Sequence, residues 1–166
     1  MKKNIYWNQP VGSDKIVFMV TEKSLDQIKA EGIIPNEAAV LIKDHKEAHE
    51  MKAEEYAKHV HIDKCKFDNP SNPSDIVFDM DLLKTHYVNL HKEIRANAFK
   101  VLDSLQTRAL AQKNEGLVTE IENDKQALRN MPEDLDYSQC NTAVEVSRVY
   151  PQALMVDYEE KYKRRF

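Results

Sequence analysis

Residues Asp75 to Pro132 read DIVFDMDLLKTHYVNLHKEIRANAFKVLDSLQTRALAQKNEGLVTEIENDKQALRNMP. Within them Leu83, Tyr87, Leu90, Ile94, Ala98, Val101, Leu105 and Ala109 recur at steps of three or four residues. That rhythm lays an apolar stripe along one side of a helix. The mean step is about 3.7 residues, longer than the ~3.5 of a left-handed coiled coil, so the stripe belongs to a nearly straight helix. From Asp81 to Lys113 such a helix runs roughly 50 Å at ~1.5 Å per residue. Gly116 then reads as a tight break, and a shorter helix returns from Leu117 to Asn130, about 20 Å by the same rise. Its inner face is Val118, Ile121 and Leu128, and Pro132 stops it.

The two lengths do not match. Leu83, Tyr87 and Leu90 lie beyond the reach of the returning helix, so something else must cover them: the N-terminal residues, the chain after Pro132, or another molecule. A bare stripe of that size would expose roughly several hundred Å² of apolar surface, the mark of an interface.

Working outward, residues 1–74 read as a small α/β unit that ends in an irregular linker. Ile5 and Trp7, then Ile16, Phe18 and Val20, suggest two strands joined at Pro10-Val11-Gly12-Ser13. The continuous apolar runs suggest strands with both faces covered. Ser24-x-x-Gln27 is a capping-box pattern for a short helix, with Gly32 at its C-terminal cap. Ala39 to Ile42 offers a further strand. Residues 44–60 favour a solvated helix, and His61 to Ser74 breaks up around Asn69-Pro70 and Asn72-Pro73, which places the unit's boundary near residue 74. Residues 75–132 are the helical hairpin. Residues 133–166 hold a short helix, capped by Asn141-Thr142-x-x-Glu145 and ended at Pro151, and a charged tail. The fold class expected is therefore α+β.

A chain of 166 residues with 42% hydrophobic and 31% charged residues can bury a core yet keeps much surface. Its net charge of −4 gives no general attraction to nucleic acid. The basic tail Lys161, Lys163, Arg164 and Arg165 supplies at best a weak, salt-sensitive contact, so no nucleic-acid partner is expected. Three glycines, far apart, leave no phosphate-cradling loop, and nucleophile-elbow and dinucleotide patterns are lacking. No segment has the length and apolarity of a membrane span, and no apolar run follows the early lysines, so neither a membrane partner nor a secretory leader is expected. Cys65 and Cys140 are expected as free thiols in a reducing compartment.

One constellation suggests metal chemistry. His45 and His49 are four apart in a helical stretch, His59 and His61 are two apart, and Cys65 lies close by, all residue types that zinc accepts. Surrounding lysines oppose a cation, so no cofactor is expected, and a zinc-binding protein or enzyme stands as an alternative. The acidic cluster Glu115, Glu120, Glu122 and Asp124 suits the start of the returning helix, where negative charge favours the helix dipole.

Several segments carry a family resemblance. Ile76-Val77-Phe78-Asp79-Met80-Asp81 leads into Lys84, His91, Ile94 and Arg95, then Leu102-Asp103-x-Leu105 and Arg108-Ala109-Leu110. The most specific piece is Lys125-Gln126-Ala127-Leu128-Arg129-Asn130-Met131-Pro132, followed by Thr142-x-x-Glu145 and Pro151. This half of the chain resembles small tailed-bacteriophage proteins encoded among tail genes, the tail fibre assembly or tail assembly chaperone-like family. Residues 59–63 depart from the arginine- and aromatic-containing stretch that often precedes the hairpin there. The resemblance implies a non-enzymatic protein that binds tail or tail-fibre polypeptides in the host cytoplasm during assembly. Its alternative is a permanent adaptor or decoration protein of the virion. A homo-oligomer is compatible with either. Leu83, Tyr87, Leu90 and Ile94, with Arg95 and Arg129, are the expected partner contacts.

Overall fold

The computed structural model describes residues 3–10, 12–13 and 15–166, the side chains of 133 and 134 aside. The chain is α+β and divides into two compact units, Met1–Leu83 with Thr142–Val144, and Lys84–Asn141 with Glu145–Phe166.

The first unit is built on β1 (Asn4–Gln9), which lies between β2 (Val17–Thr21) and β3 (Ala39–Asp44), antiparallel to both. Trp7 faces Phe18 on one side and Leu41 on the other. Ile5, Tyr6, Trp7 and Asn8 are all buried, so the central strand is covered on both faces. Ile5 and Trp7 pack with Cys65, Phe67 and Ile76, while Tyr6 packs with Ile28, Ile34 and Ala38. The expectation of two covered faces fails for β2, an edge strand that leaves Val17, Phe18 and Val20 exposed. Of the turn expected at Pro10–Ser13, Val11 lies outside the described residues; Gly12 adopts a positive φ of 78° and the Ser13 amide donates to the Pro10 carbonyl at 3.0 Å.

Helix α1 (Leu25–Ala30) starts with the reciprocal capping box of Ser24 and Gln27. Gly32 follows it at φ 70°, a conformation open to glycine at no steric cost. The solvated helix expected over 44–60 is shorter: β3 extends to Asp44, and α2 covers only Ala53–Val60. The stretch read as linker contains β4 (Cys65–Phe67), paired antiparallel with β5 (Ile76–Phe78) in the register Cys65↔Phe78. Because that hairpin closes across the two Asn-Pro steps, the division falls after Leu83 rather than near residue 74.

The second unit is a helical hairpin with a C-terminal strap. Helix α3 runs from Met80 to Ala111 and α4 from Glu115 to Asn130. The break lies before Gly116, which sits in the first turn of α4. At the end of α3 the Lys113 amide bonds Leu110 and the Asn114 amide bonds Ala109, with Lys113 at φ 55°. This is a Schellman closure with lysine in the left-handed position usually held by glycine. Asn114 then caps α4, its side chain accepting from the Leu117 amide at 3.1 Å. Leu102, Leu105 and Ala109 meet Leu117, Ile121 and Leu128 in one core with Leu154, Tyr158 and Tyr162. The last two belong to α6 (Tyr158–Tyr162), which follows α5 (Ala143–Arg148).

Candidate functional site

The buried row of α3 differs from the one its apolar letters suggest. His91 and Leu102 are fully buried, whereas Leu90 is 36% exposed and Val101 half-buried. The inward row is therefore Leu83, Tyr87, His91, Ile94, Ala98, Leu102, Leu105 and Ala109, turned by one position at two places. An imidazole counts as polar in a sequence pattern, yet here it is interior. His91 Nδ1 lies 3.2 Å from the Tyr137 hydroxyl, and the Tyr150 ring meets its edge at a centroid distance of 5.1 Å. Tyr87 hydrogen-bonds Ser147. Burial pushes the His91 pKa below its usual value and the Tyr87 pKa above its own.

Tyr137, Ser147 and Tyr150 thus cover Tyr87 and His91, while Leu90 stays partly exposed. Leu83 is fully buried and offers no contact surface, and Tyr87 is engaged within its own unit. Of the other expected contacts, Arg95 is half-buried on α3 and Arg129 pairs with Glu122 at 2.7 Å. The structure does not bring these six residues together as one surface.

What stays open lies farther along α3. Ile94, Ala98 and Val101 line a recess of about 270 Å³ whose opposite wall is Ala153 and Val156. A second recess, about 350 Å³, continues past Val101 to Leu105, with Arg108, Lys163 and Phe166 at its far end. Val101 and Glu159 border both, so the two form one groove from Ile94 to Arg108. At ~1.5 Å per residue its length is about 20 Å. The Ile94–Val156 recess is mainly apolar and the recess beyond Val101 mainly polar, with Asp157 and Glu159 acidic and Arg108 and Lys163 basic along the rim.

The strap that forms the outer wall is anchored. Asp124 on α4 accepts from Lys161 Nζ at 2.6 Å and from the Tyr162 hydroxyl at 2.7 Å. Desolvation and this carboxylate raise the Tyr162 pKa, so the phenol stays a donor. Arg165 pairs with Glu120 at 2.9 Å, Arg108 lies 4.4 Å over the Phe166 ring, and the Tyr158 hydroxyl donates to the Ala153 carbonyl at 2.9 Å. A wall held at four points keeps the groove formed, which spares a ligand the entropy of ordering it.

The zinc alternative finds no assembled ligand set. Among the described residues no group of three or more His, Cys, Asp or Glu side chains is placed to hold a metal ion. His49 is exposed in a short 3-10 turn, while His59 meets Trp7 edge-on at 4.7 Å and Phe18 at 5.3 Å. Cys65 is buried in β4, its Sγ 3.4 Å from the His61 carbonyl, and burial pushes its pKa up to about 12. Such a thiol resists becoming the thiolate that zinc binds. No described helix is long and apolar enough to cross a membrane.

No family model matches this chain, and neither a curated protein nor a solved structure matches it.

Proposed function

We propose that this chain is a non-enzymatic binding protein of a bacteriophage tail module, which docks a segment of a tail or tail-fibre polypeptide in the groove along α3. The single observation that carries the reading is the groove itself: a trough about 20 Å long, apolar from Ile94 to Val101 and more polar from there to Arg108, with a braced outer wall. An amphipathic segment that buries one stripe in such a trough gains affinity from apolar contact and direction from its charged ends. The acidic rim at Asp157 and Glu159 favours basic residues at one end of the segment; Arg108 and Lys163 favour acidic ones at the other.

The sequence resemblance supports the same assignment in a specific way. Within Lys125–Pro132, Leu128 and Met131 are buried, and Lys125 reaches Asp103 of α3 at 2.6 Å. The residues that carry the resemblance are thus those that lock the hairpin forming one side of the groove. The protein acts in the host cytoplasm during assembly and leaves the finished particle.

Affinity capture from infected cells, paired with mass spectrometry of purified particles, tests this. Recovery of a tail or fibre polypeptide by the wild type, and its loss with Val156→Lys, supports the reading. Equal recovery with both proteins removes the groove from it. Stoichiometric presence of the chain in particles would replace the assembly role by that of a permanent virion component.

A further inference from the structure

The three-stranded sheet of the first unit ends in two edges of different chemistry, β2 and β3. An edge strand presents a row of backbone N–H and C=O groups that no neighbour pairs, and charged side chains or proline normally keep other strands away from it. β3 follows that rule: Lys43 and Asp44 occupy its last positions, and Asp75 holds Lys43 at 2.7 Å. β2 does not. It reads Val17-Phe18-Met19-Val20-Thr21, with no charge, proline or glycine, and among the described residues β1 is its only paired neighbour. Val17 is 46% exposed on one face of the strand, and Phe18 and Val20 are 39% and 37% exposed on the other. Such an edge accepts an extended, uncharged segment of high β-propensity, bound through its backbone.

β2 is itself a segment of that kind, and it is self-complementary. A two-fold axis through an antiparallel pair requires one residue to face its own copy. With Met19 on the axis, Phe18 lies opposite the partner's Val20, Val20 opposite the partner's Phe18, and Val17 opposite the partner's Thr21. All five residues of the strand are then paired, and each Phe–Val contact is an aromatic–β-branched pair of the sort that stabilises sheets. These contacts extend rows that already run from Trp7 to Phe18 and from Ile5 to Val20 within one copy. An axis at Phe18 would instead set Val20 against the partner's Ile16, a residue already buried in its own unit. Beyond the strand, Lys15 falls opposite the partner's Lys23, whose charge is matched by Glu31 at 2.6 Å.

We propose that two copies of this chain join through β2, antiparallel about Met19, into one continuous sheet in the order β3-β1-β2-β2-β1-β3. Both outer edges are then the charged β3, so the assembly closes as a dimer. A contact limited to a five-residue strand from each copy buries less than the ~1,200 Å² of a standard interface, so the dimer is weak, with a Kd of roughly 10–100 µM. Sedimentation equilibrium of the full chain from about 2 to about 500 µM is expected to show the mass rising from monomer towards dimer. Val20→Lys sets a charge on the open edge and is expected to raise the Kd at least about tenfold, with dichroism and Trp7 emission unchanged. Val17→Lys does the same should the first variant unfold. Ile42→Lys, at a site 44% exposed on β3, and Val156→Lys in the groove are expected to leave the mass profile as it was. Val17→Cys combined with Thr21→Cys, in a Cys140→Ser background, reads the register. The two positions lie roughly 13 Å apart along one strand, too far to bond within a chain, so oxidation is expected to give a disulfide-linked dimer. A mass that stays monomeric throughout, an unchanged profile in a folded lysine variant of β2, dissociation by Val156→Lys or Ile42→Lys, or absence of the covalent dimer would each overturn the proposal.

Discussion

Lys125 Nζ lies 2.6 Å from a carboxylate oxygen of Asp103, the lysine 7% exposed and the aspartate 66%. The ammonium also donates to Gln106. The pair therefore joins α4 to α3 with its aliphatic stem interior and its acid in water. Asp103 loses little solvation in pairing, so most of what Lys125 contributes is packing of its stem. Lys125→Met is expected to cost about 1 kcal/mol or less, and Lys125→Ala roughly 2 kcal/mol, because only the second leaves a void. Urea unfolding of both variants measures the difference. Equal losses would mean that the charge, and not the stem, dominates.

Lys113 holds a left-handed backbone conformation that costs a side-chain-bearing residue about 1 kcal/mol or more. Lys113→Gly relieves this at some cost in unfolded-state entropy, for an expected net gain of about 0.5–1 kcal/mol. Asn114→Ala removes the cap on α4 and is expected to lose about 1 kcal/mol. A denaturation midpoint that fell for Lys113→Gly would contradict the closure described here.

His59 and His91 both have pKa values lowered by burial from 6.5. In the window between their folded values and 6.5 the unfolded chain binds more protons than the folded one. Stability therefore falls as pH drops below about 6.5, by at most ~1.4 kcal/mol per pH unit for each histidine, and does not depend on them above it. Glu55 beside His59 opposes the effect there, while His91 has no such carboxylate among the causes of its shift. Thermal unfolding from pH 7.5 to 5.5 is expected to be steeper for the wild type than for His91→Phe. Parallel profiles would show that His91 stays solvated.

The two thiols are expected to react differently. Cys65 is buried with a raised pKa, whereas Cys140 is half-exposed, and both are free. At pH 8 a disulfide reagent is expected to modify one thiol of the native protein promptly and the other only after denaturant is added. Mass spectrometry of the labelled peptides would identify them; prompt labelling of Cys65 would be the contrary outcome.

In the groove, Ala98→Gln and Val156→Lys are expected to weaken partner capture at least about tenfold while stability changes by no more than ~1 kcal/mol, since Ala98 is only partly buried and Val156 is exposed. Leu90→Asp lies outside the groove and is expected to bind as the wild type does. Capture lost in Leu90→Asp but kept in Val156→Lys would move the docking site to the start of α3.

Long-range periodicity and local capping were the legible parts of the sequence. The row from Leu83 to Ala109 disclosed α3, and Ser24 with Gln27 disclosed α1. The hairpin breaks at Lys113 and Asn114 and not at Gly116: a lysine in the left-handed region leaves no mark in the letters, whereas a glycine does. The β4–β5 pair escaped because strands of three residues are too short for alternation to register. Part of the groove was visible in Ile94, Ala98 and Val101. Its other wall was not, because Ala153 and Val156 sit in an aperiodic segment positioned by Asp124, Tyr158 and Tyr162. The covering of Tyr87 and His91 by residues 137–150 depends on contacts 46 to 60 positions apart, which no local pattern encodes.

Trp7 is interior to the first unit, whereas most helical residues belong to α3 and α4. Tryptophan emission therefore follows the melting of one body, and far-ultraviolet dichroism mainly that of the other. Coincident curves would mean that the pair denatures as a single cooperative block. Separated curves would assign each half its own midpoint without a probe having to be attached.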